Sequence, residues 1–131
     1  MTSLPEGANP GGAKTVLLIE DDHEIRVRLR ELLEDEGYRV LTAANGRSAL
    51  DVLEGGAAAP DVIVLDLMLP VMDGWRFAAS VRADPRFAQV PIVVQSAFTS
   101  PPPPRDVAAF LLKPVDEGAL LNEIRRSVAR G

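Results

Sequence analysis

Four short and mostly apolar runs, each followed at once by a polar residue, constrain the fold of this chain more than any other feature. The runs cover residues 16–19, 62–65, 92–95 and 110–112. The polar residues that follow them are Glu20, Asp66, Ser96 and Lys113. Uninterrupted apolar strands are typical of parallel sheets covered on both faces, and ligands bind such sheets at the carboxyl ends of the strands. We therefore expect the four polar side chains to meet in one pocket.

Strand and helix patterns alternate along the chain. Predicted strands cover residues 15–19, 39–43, 62–65, 92–95 and 109–112. Amphipathic helices are predicted between them, such as the one that carries Ile25, Leu29 and Leu33 at helical spacing. Asn45 and Asp116 are expected to cap the second and the last helix. This alternation predicts an α/β fold with a doubly wound parallel sheet.

The connection between the fourth and fifth strands breaks the alternation, because residues 101–104 are all proline. Proline lacks a backbone donor and has a fixed φ, so we expect a proline-rich loop in place of a helix. One interpretation is a rigid and short connection. The other is a preformed polyproline ligand for an aromatic groove on a partner protein.

Length and composition limit the function. The 131 residues predict one domain over residues 14–131, preceded by a disordered tail over residues 1–13 that is rich in glycine and proline. The absence of cysteine excludes thiolate metal sites, and the single histidine argues against a histidine metal site or a Ser-His relay. The absence of a long apolar stretch predicts a cytoplasmic protein without membrane insertion. The net charge of −5 argues against direct nucleic-acid binding.

The predicted pocket contains the groups needed for phosphoryl transfer. Several carboxylates close together repel one another unless a cation binds, and Mg²⁺ prefers oxygen ligands of this kind. Asp66 is the candidate nucleophile, because a carboxylate can attack phosphorus and form an aspartyl phosphate. Lys113 and the metal would neutralise charge on the transferring oxygens, and the Ser96 hydroxyl would donate a hydrogen bond to one of them.

The order of these motifs resembles the receiver domain of two-component response regulators. The motifs are residues 20–22, 66–74, 96–97 and 113–114, and the resemblance covers residues 15–130. It implies a flavodoxin-like, five-stranded parallel sheet with strand order 2-1-3-4-5. It also implies that a sensor histidine kinase or a phosphotransfer protein phosphorylates Asp66, and that this alters contacts with an unidentified downstream protein.

The resemblance assigns further roles in the pocket. Asp21 is implied to ligate Mg²⁺ directly, Glu20 to act through water, and Met68 to offer its backbone carbonyl. Ser96 takes the position of the hydroxyl residue that responds to phosphorylation. Asp22 is interpreted as the N-cap of the first helix rather than as a ligand. A cis bond between Lys113 and Pro114 would direct the ammonium group inward.

The resemblance also predicts the lifetime of the phosphorylated state. In receivers, the residues two positions after the phosphoacceptor and two after the hydroxyl residue influence attack by water. Here they are Met68 and Phe98, and neither side chain can orient a water molecule. We expect slow autodephosphorylation and no other enzymatic activity.

Two alternatives remain at this stage. A phosphatase of the haloacid dehalogenase type also forms an aspartyl phosphate, but it needs a second Asp where this chain has Met68. The other alternative is a degenerate receiver that binds a protein partner constitutively without phosphorylation. The complete set of polar residues argues against it, because a purely structural domain gains nothing from a carboxylate cluster.

Overall fold

The chain alternates strands and helices in the computed structural model, which describes residues 12–56 and 58–130. The elements are β1 (Thr15–Ile19), α1 (His23–Asp35), β2 (Arg39–Ala43), α2 (Gly46–Gly55), β3 (Val62–Asp66), α3 (Gly74–Ala83), β4 (Ile92–Ser96), β5 (Ala109–Leu112) and α4 (Glu117–Arg130). The predicted tail over residues 1–13 lies, apart from its last two residues, outside the described part. No helix within the described residues has the length and apolar character needed to cross a membrane.

The five strands form one parallel sheet in the order β2-β1-β3-β4-β5. This confirms the predicted flavodoxin-like, doubly wound arrangement. Strands β1 and β3 are apolar except for Thr15 at the start of β1 and Asp66 at the end of β3, and their apolar side chains are fully buried because helices cover both faces of the sheet. Strands β3 and β4 each run one residue further than predicted, so Asp66 and Ser96 are the last residues of their strands rather than the residues that follow.

Two apolar cores lie on opposite faces of the sheet, since alternate side chains of a strand point to opposite sides. One core includes Leu17, Ile19 and Phe77 and lies beneath α2 and α3. The other includes Leu18, Leu33, Val93 and Ile124 and lies beneath α1 and α4. The helices are held to the sheet by these cores, which leaves the carboxyl ends of the strands free to carry polar residues.

Side-chain caps begin the helices at the predicted positions. The carboxylate of Asp22 accepts from the Ile25 backbone N–H at 3.0 Å, and Asn45 accepts from the Ser48 N–H at 2.8 Å. Asp116 accepts from the backbone of α4 in the same way, at 2.8 Å. The three predicted caps are thereby confirmed. Asp73 caps α3 as well, which the sequence interpretation had treated only as part of a turn.

The stretch between β4 and β5, residues 97–108, contains no helix, as predicted, and is called the proline connection below. It lies along α3. The indole of Trp75 donates to the Pro102 carbonyl at 2.8 Å, and Arg82 donates to the Asp106 carbonyl at 2.6 Å. A cavity of about 220 Å³ lies between α3 and the connection. These contacts within the chain favour the interpretation of a rigid and short connection.

Candidate functional site

The strand register brings the four predicted polar positions to one edge of the sheet. Ile19 of β1 lies opposite Leu65 of β3, so Glu20 and Asp66 are the next residues on neighbouring strands. Asp66 in turn lies opposite Gln95, the residue before Ser96. Strand β5 ends beside Ser96 of β4, and Lys113 follows it directly. The prediction that the strand ends converge is confirmed.

Lys113 links two carboxylates that are far apart in the sequence. Its ammonium group donates to Glu20 Oε1 at 2.7 Å and to Asp66 Oδ2 at 3.0 Å. The peptide bond between Lys113 and Pro114 is cis. The two hydrogen bonds show that the ammonium points into the pocket, as the sequence predicted, and the lysine is not an ordinary surface residue.

Glu20 is the most deeply buried carboxylate of the pocket, with no exposed surface. Its Oε2 accepts from the Asp22 backbone N–H at 3.1 Å, and its Oε1 accepts from Lys113 and also from the Gln95 amide at 3.3 Å. Burial raises the pKa of Glu20, because it disfavours the charged form more than these donors favour it. For Lys113, burial lowers the pKa, but the hydrogen bonds to both carboxylates outweigh burial and the pKa is raised overall.

Glu20, Asp21 and Asp66 form an acidic cluster in which one oxygen from each lies within 4.8 Å of the others. Asp66 is buried, whereas Asp21 faces solvent at the mouth of the pocket. Carboxylate oxygens at this spacing, one of them accessible to water, suit Mg²⁺, which keeps part of its hydration shell when it binds proteins. Asp22 lies outside this cluster and caps α1, as interpreted from the sequence.

Asp66 is held from both sides of its carboxylate. Oδ1 accepts from the Met68 backbone N–H at 3.1 Å, while Oδ2 accepts from Lys113. The Met68 side chain is half exposed, and the role of its carbonyl as a metal ligand stays a prediction. Ser96 is buried, and its hydroxyl oxygen accepts from the Phe98 N–H at 3.2 Å. Its role as the hydroxyl that contacts the phosphoryl group also stays a prediction.

Helix α3 begins against the backbone at the end of β3, and Gly74 allows this close approach. The Gly74 N–H donates to the Leu67 carbonyl at 2.9 Å. A Cβ atom at this position would lie 2.7 Å from the Asp66 carbonyl oxygen and 2.7 Å from the Leu67 Cα. Only glycine fits there, so its place in the sequence is a steric requirement of the site.

Gln95 is the pocket residue that sequence reasoning missed. The sequence interpretation treated it as the last residue of a buried strand, and the structure places its amide on Glu20. The available signal was its polarity: an amide that ends an otherwise apolar and buried strand needs a hydrogen-bond partner inside the protein.

The geometry agrees with a comparison of the sequence with protein families. The sequence model of the response regulator receiver domain matches residues 16–125. This chain belongs to that family. The receiver is therefore a signalling module of two-component systems, whose signalling is based on phosphorylation, and the sequence resemblance is confirmed.

Individual proteins show the same relationship. The receiver is 37% identical over 125 residues to the transcriptional regulatory protein AfsQ1 of Streptomyces coelicolor, an alignment that covers 89% of this chain and 52% of AfsQ1. It is 33% identical to the chemotaxis response regulator CheY4 of Vibrio cholerae, with a TM-score of 0.78 over 88% of this chain and 98% of CheY4. The chain spans about half of AfsQ1 and smaller parts of several other relatives.

A third relative bears on the acidic cluster. The receiver domain of sensor histidine kinase PA1611 from Pseudomonas aeruginosa was solved with a magnesium ion coordinated in its active-site cleft. It is 26% identical to this receiver, with a TM-score of 0.79 over 89% of this chain and 98% of that one. The family relationship and the cluster of Glu20, Asp21 and Asp66 both point to the same kind of metal site.

Proposed function

We propose that this receiver accepts a phosphoryl group on Asp66 from a phosphohistidine of a sensor kinase or of a phosphotransfer protein. The observation that carries the proposal is the position of Lys113, whose ammonium group lies 3.0 Å from Asp66 Oδ2. Asp66 also shares a cluster with Glu20 and Asp21. A buried carboxylate that contacts an ammonium group and belongs to a cluster of metal-ligand type is suited to attack phosphorus rather than to bind a structural partner.

In the proposed reaction an oxygen of Asp66 attacks the phosphorus atom of the donor. The P–N bond of the phosphohistidine breaks, and its electron pair returns to the ring nitrogen of the protonated imidazole, which leaves as the neutral base. Lys113 neutralises charge on the transferring oxygens, and the Ser96 hydroxyl donates to one of them. The product is an acyl phosphate on Asp66.

Asp21, Glu20 and Asp66 would hold Mg²⁺, together with the backbone carbonyl of Met68. When bound, the metal would neutralise negative charge on the phosphoryl oxygens. The spacing of the carboxylates supports this assignment. Asp21 is exposed and free to ligate the metal directly, whereas Glu20 is already engaged by Lys113, which supports an indirect role for Glu20 through water.

Phosphorylation would then alter the contacts of the receiver with a downstream protein. Because the proline connection replaces the helix between β4 and β5, the face that it forms with α3 differs from the corresponding face of a receiver with a full set of helices. We propose that this face takes part in output. Its link to the pocket is Ser96, whose hydroxyl accepts from the backbone of Phe98 at the start of the connection.

The test is intact mass spectrometry after incubation with Mg²⁺ and either acetyl phosphate or phosphoramidate, whose P–N bond resembles that of phosphohistidine. We expect a gain of one phosphoryl group that requires Mg²⁺ and is absent in Asp66→Asn. Asp51→Asn is the matched control, because Asp51 is exposed and pairs with Arg47 on α2, away from the pocket. A chain that gains no phosphoryl group from either donor or from a phosphorylated kinase would instead be the constitutive binding module.

A further inference from the structure

We propose that Gln95 is a positioning residue for phosphoryl transfer, which keeps the Glu20 carboxylate hydrogen-bonded when Lys113 moves toward the phosphoryl group. This inference rests on the proposed function of Asp66 as phosphoacceptor. It assigns a task to a buried amide that the reaction described above does not use.

Gln95 is a polar residue in an apolar setting. Its exposed fraction is 1%, and the preceding residues of β4, from Ile92 to Val94, are fully buried and apolar. Because strand side chains alternate, Gln95 shares the face of Val93, beneath α1 and α4. A buried amide without a partner is unfavourable, so the hydrogen bond that it makes fixes its orientation.

Within the described part of the chain, the Gln95 side chain makes one hydrogen bond, from Nε2 to Glu20 Oε1 at 3.3 Å. The opposite amide orientation would place the Gln95 carbonyl oxygen against a carboxylate oxygen, and two acceptors repel each other. The chemistry of Glu20 therefore settles which end of the amide faces the pocket.

Two donors thus converge on one oxygen of a fully buried carboxylate. Lys113 donates to Glu20 Oε1 at 2.7 Å and Gln95 donates to the same atom at 3.3 Å. The other oxygen, Oε2, accepts from the Asp22 backbone. In the unphosphorylated chain the shorter, charged contact with Lys113 dominates at Oε1, and the Gln95 contact is secondary.

Phosphorylation changes the balance between these two donors. When Asp66 becomes an acyl phosphate, its own carboxylate charge is lost and the negative charge lies on the phosphoryl oxygens. These oxygens would attract the Lys113 ammonium, and contact with them would compete with its contact to Glu20 Oε1. Without another donor, a buried carboxylate oxygen would be left unsatisfied, which is costly.

Gln95 supplies that other donor. Its amide approaches the same oxygen from β4, and its position does not depend on Lys113, because Gln95 lies in the sheet opposite Asp66. Gln95 therefore lowers the free energy needed to move Lys113 toward the phosphoryl group. An apolar residue of the same size would leave Glu20 dependent on Lys113 and would hold the lysine back.

The test uses Gln95→Met, which preserves length and removes the donor. The measured quantity is the dissociation constant for beryllofluoride, an analogue of the phosphoryl group, at saturating Mg²⁺. We expect the variant to bind about tenfold more weakly, the factor that one hydrogen bond to a charged group provides. Its affinity for Mg²⁺ alone should change by less than about twofold, because Lys113 still satisfies Glu20 in that state.

Two further measurements separate positioning from a general structural role. In a Glu20→Gln background, the Gln95→Met change should weaken beryllofluoride binding by a smaller factor, since the neutral carbonyl oxygen at position 20 accepts a weaker hydrogen bond than the carboxylate does. The side-chain amide resonance of Gln95 in the unmodified protein should shift downfield when beryllofluoride binds. This second readout needs no variant and so does not depend on Gln95→Met folding.

The outcomes are distinguishable. If the unmodified chain binds beryllofluoride and Gln95→Met binds it equally well, the inference is wrong while the role of Asp66 stands. An equal loss in the Glu20→Gln background, or an amide resonance that does not move, also overturns it. If the unmodified chain neither binds beryllofluoride nor gains a phosphoryl group, the proposed function itself is wrong and the inference falls with it.

Discussion

The indole Nε1 of Trp75 donates a hydrogen bond to the backbone carbonyl of Pro102 at 2.8 Å. Prolines have no backbone N–H, so the backbone of a polyproline segment can form hydrogen bonds only through its carbonyl groups. An aromatic groove on a partner would use the same kind of contact. In this receiver Trp75 of α3 already donates to the Pro102 carbonyl. This favours a proline connection that packs within the domain over one that binds a groove on a partner protein.

Replacing Trp75 by Phe removes this hydrogen bond and retains an aromatic ring. We expect the free energy of unfolding to fall by about 1 kcal/mol, the usual net value of one hydrogen bond. Urea denaturation measures the loss, and changes in backbone amide resonances should concentrate in residues 97–108. Tyr38→Phe is the control, because the Tyr38 hydroxyl makes no hydrogen bond within the described residues and should cost little. Equal losses in both variants would argue against the Trp75 contact.

Gly74→Ala tests the close approach of α3 to the end of β3. The added methyl group would lie 2.7 Å from backbone atoms of Asp66 and Leu67, which have to shift to accommodate it. We expect a loss of about 2 kcal/mol in the free energy of unfolding together with slower phosphorylation, because the strain falls on Asp66 itself.

Gly55→Ala is the matched control for that variant. Gly55 also lies in a helix, but a Cβ atom there would meet nothing within 4 Å. Alanine is the better helix former, so this change should be neutral or stabilising by up to about 1 kcal/mol. If both variants lose the same stability, the helical position rather than the contact with Asp66 sets the cost.

Met68→Asn tests the predicted lifetime of the phosphorylated state. Met68 and Phe98 are 50% and 57% exposed. Both side chains are apolar, so neither offers a hydrogen-bonding group that could orient a water molecule. An amide at position 68 can orient a water molecule toward phosphorus, and we expect decay of the acyl phosphate to become about tenfold faster. Loss of phosphorylated mass over time measures this. Met68→Leu should leave the rate unchanged, and an unchanged rate in Met68→Asn would contradict the account.

The burial of Glu20 predicts a pH dependence of stability in the absence of divalent metal. Because its pKa in the folded chain lies above the ordinary value of 4.5, the folded state binds more protons than the unfolded state in that range. The Glu20 contribution to the free energy of unfolding is therefore fully present below pH 4.5 and falls as the pH rises through the raised pKa.

Denaturation of the unmodified chain and of Glu20→Gln across this pH range, in the presence of a chelator, measures the effect. The difference in unfolding free energy between them should move against the unmodified chain as the pH rises. Glu31→Gln, at an exposed position, should show no such trend. Added Mg²⁺ should reduce the trend, because a metal binds the ionised carboxylate. If the difference does not vary with pH, burial of Glu20 does not disfavour its ionised form in the folded chain.

Much of the fold and of the site followed from the sequence because it depends on local patterns. Apolar strand runs, the caps at Asp22 and Asn45, and the proline interruption are each confined to a few neighbouring residues. The parallel sheet then places the strand ends together without further information, which is why Asp66 and Lys113 were expected to meet.

The contacts that sequence reasoning missed join residues that are distant along the chain. Gln95 and Glu20 are separated by 75 positions, and Trp75 and Pro102 by 27. Neither pair has a spacing that a periodic pattern would reveal. The direction of each side chain depends on which face of its strand or helix packs against which neighbour, and that is known only once the sheet is assembled.

The link that Lys113 makes to Glu20, 93 positions away, has a consequence for local unfolding. Strand β5 is an edge strand with a single neighbour in the sheet, and the proline connection directly before it contains no helix. We therefore expect β5 and α4 to open more readily than the centre of the domain. A phosphoryl group on Asp66 would strengthen the tie between Lys113 and β3, because it carries more negative charge than the carboxylate that Lys113 contacts at 3.0 Å. Amide hydrogen exchange in β5 and α4 would then slow on phosphorylation, because this edge of the domain would open less often.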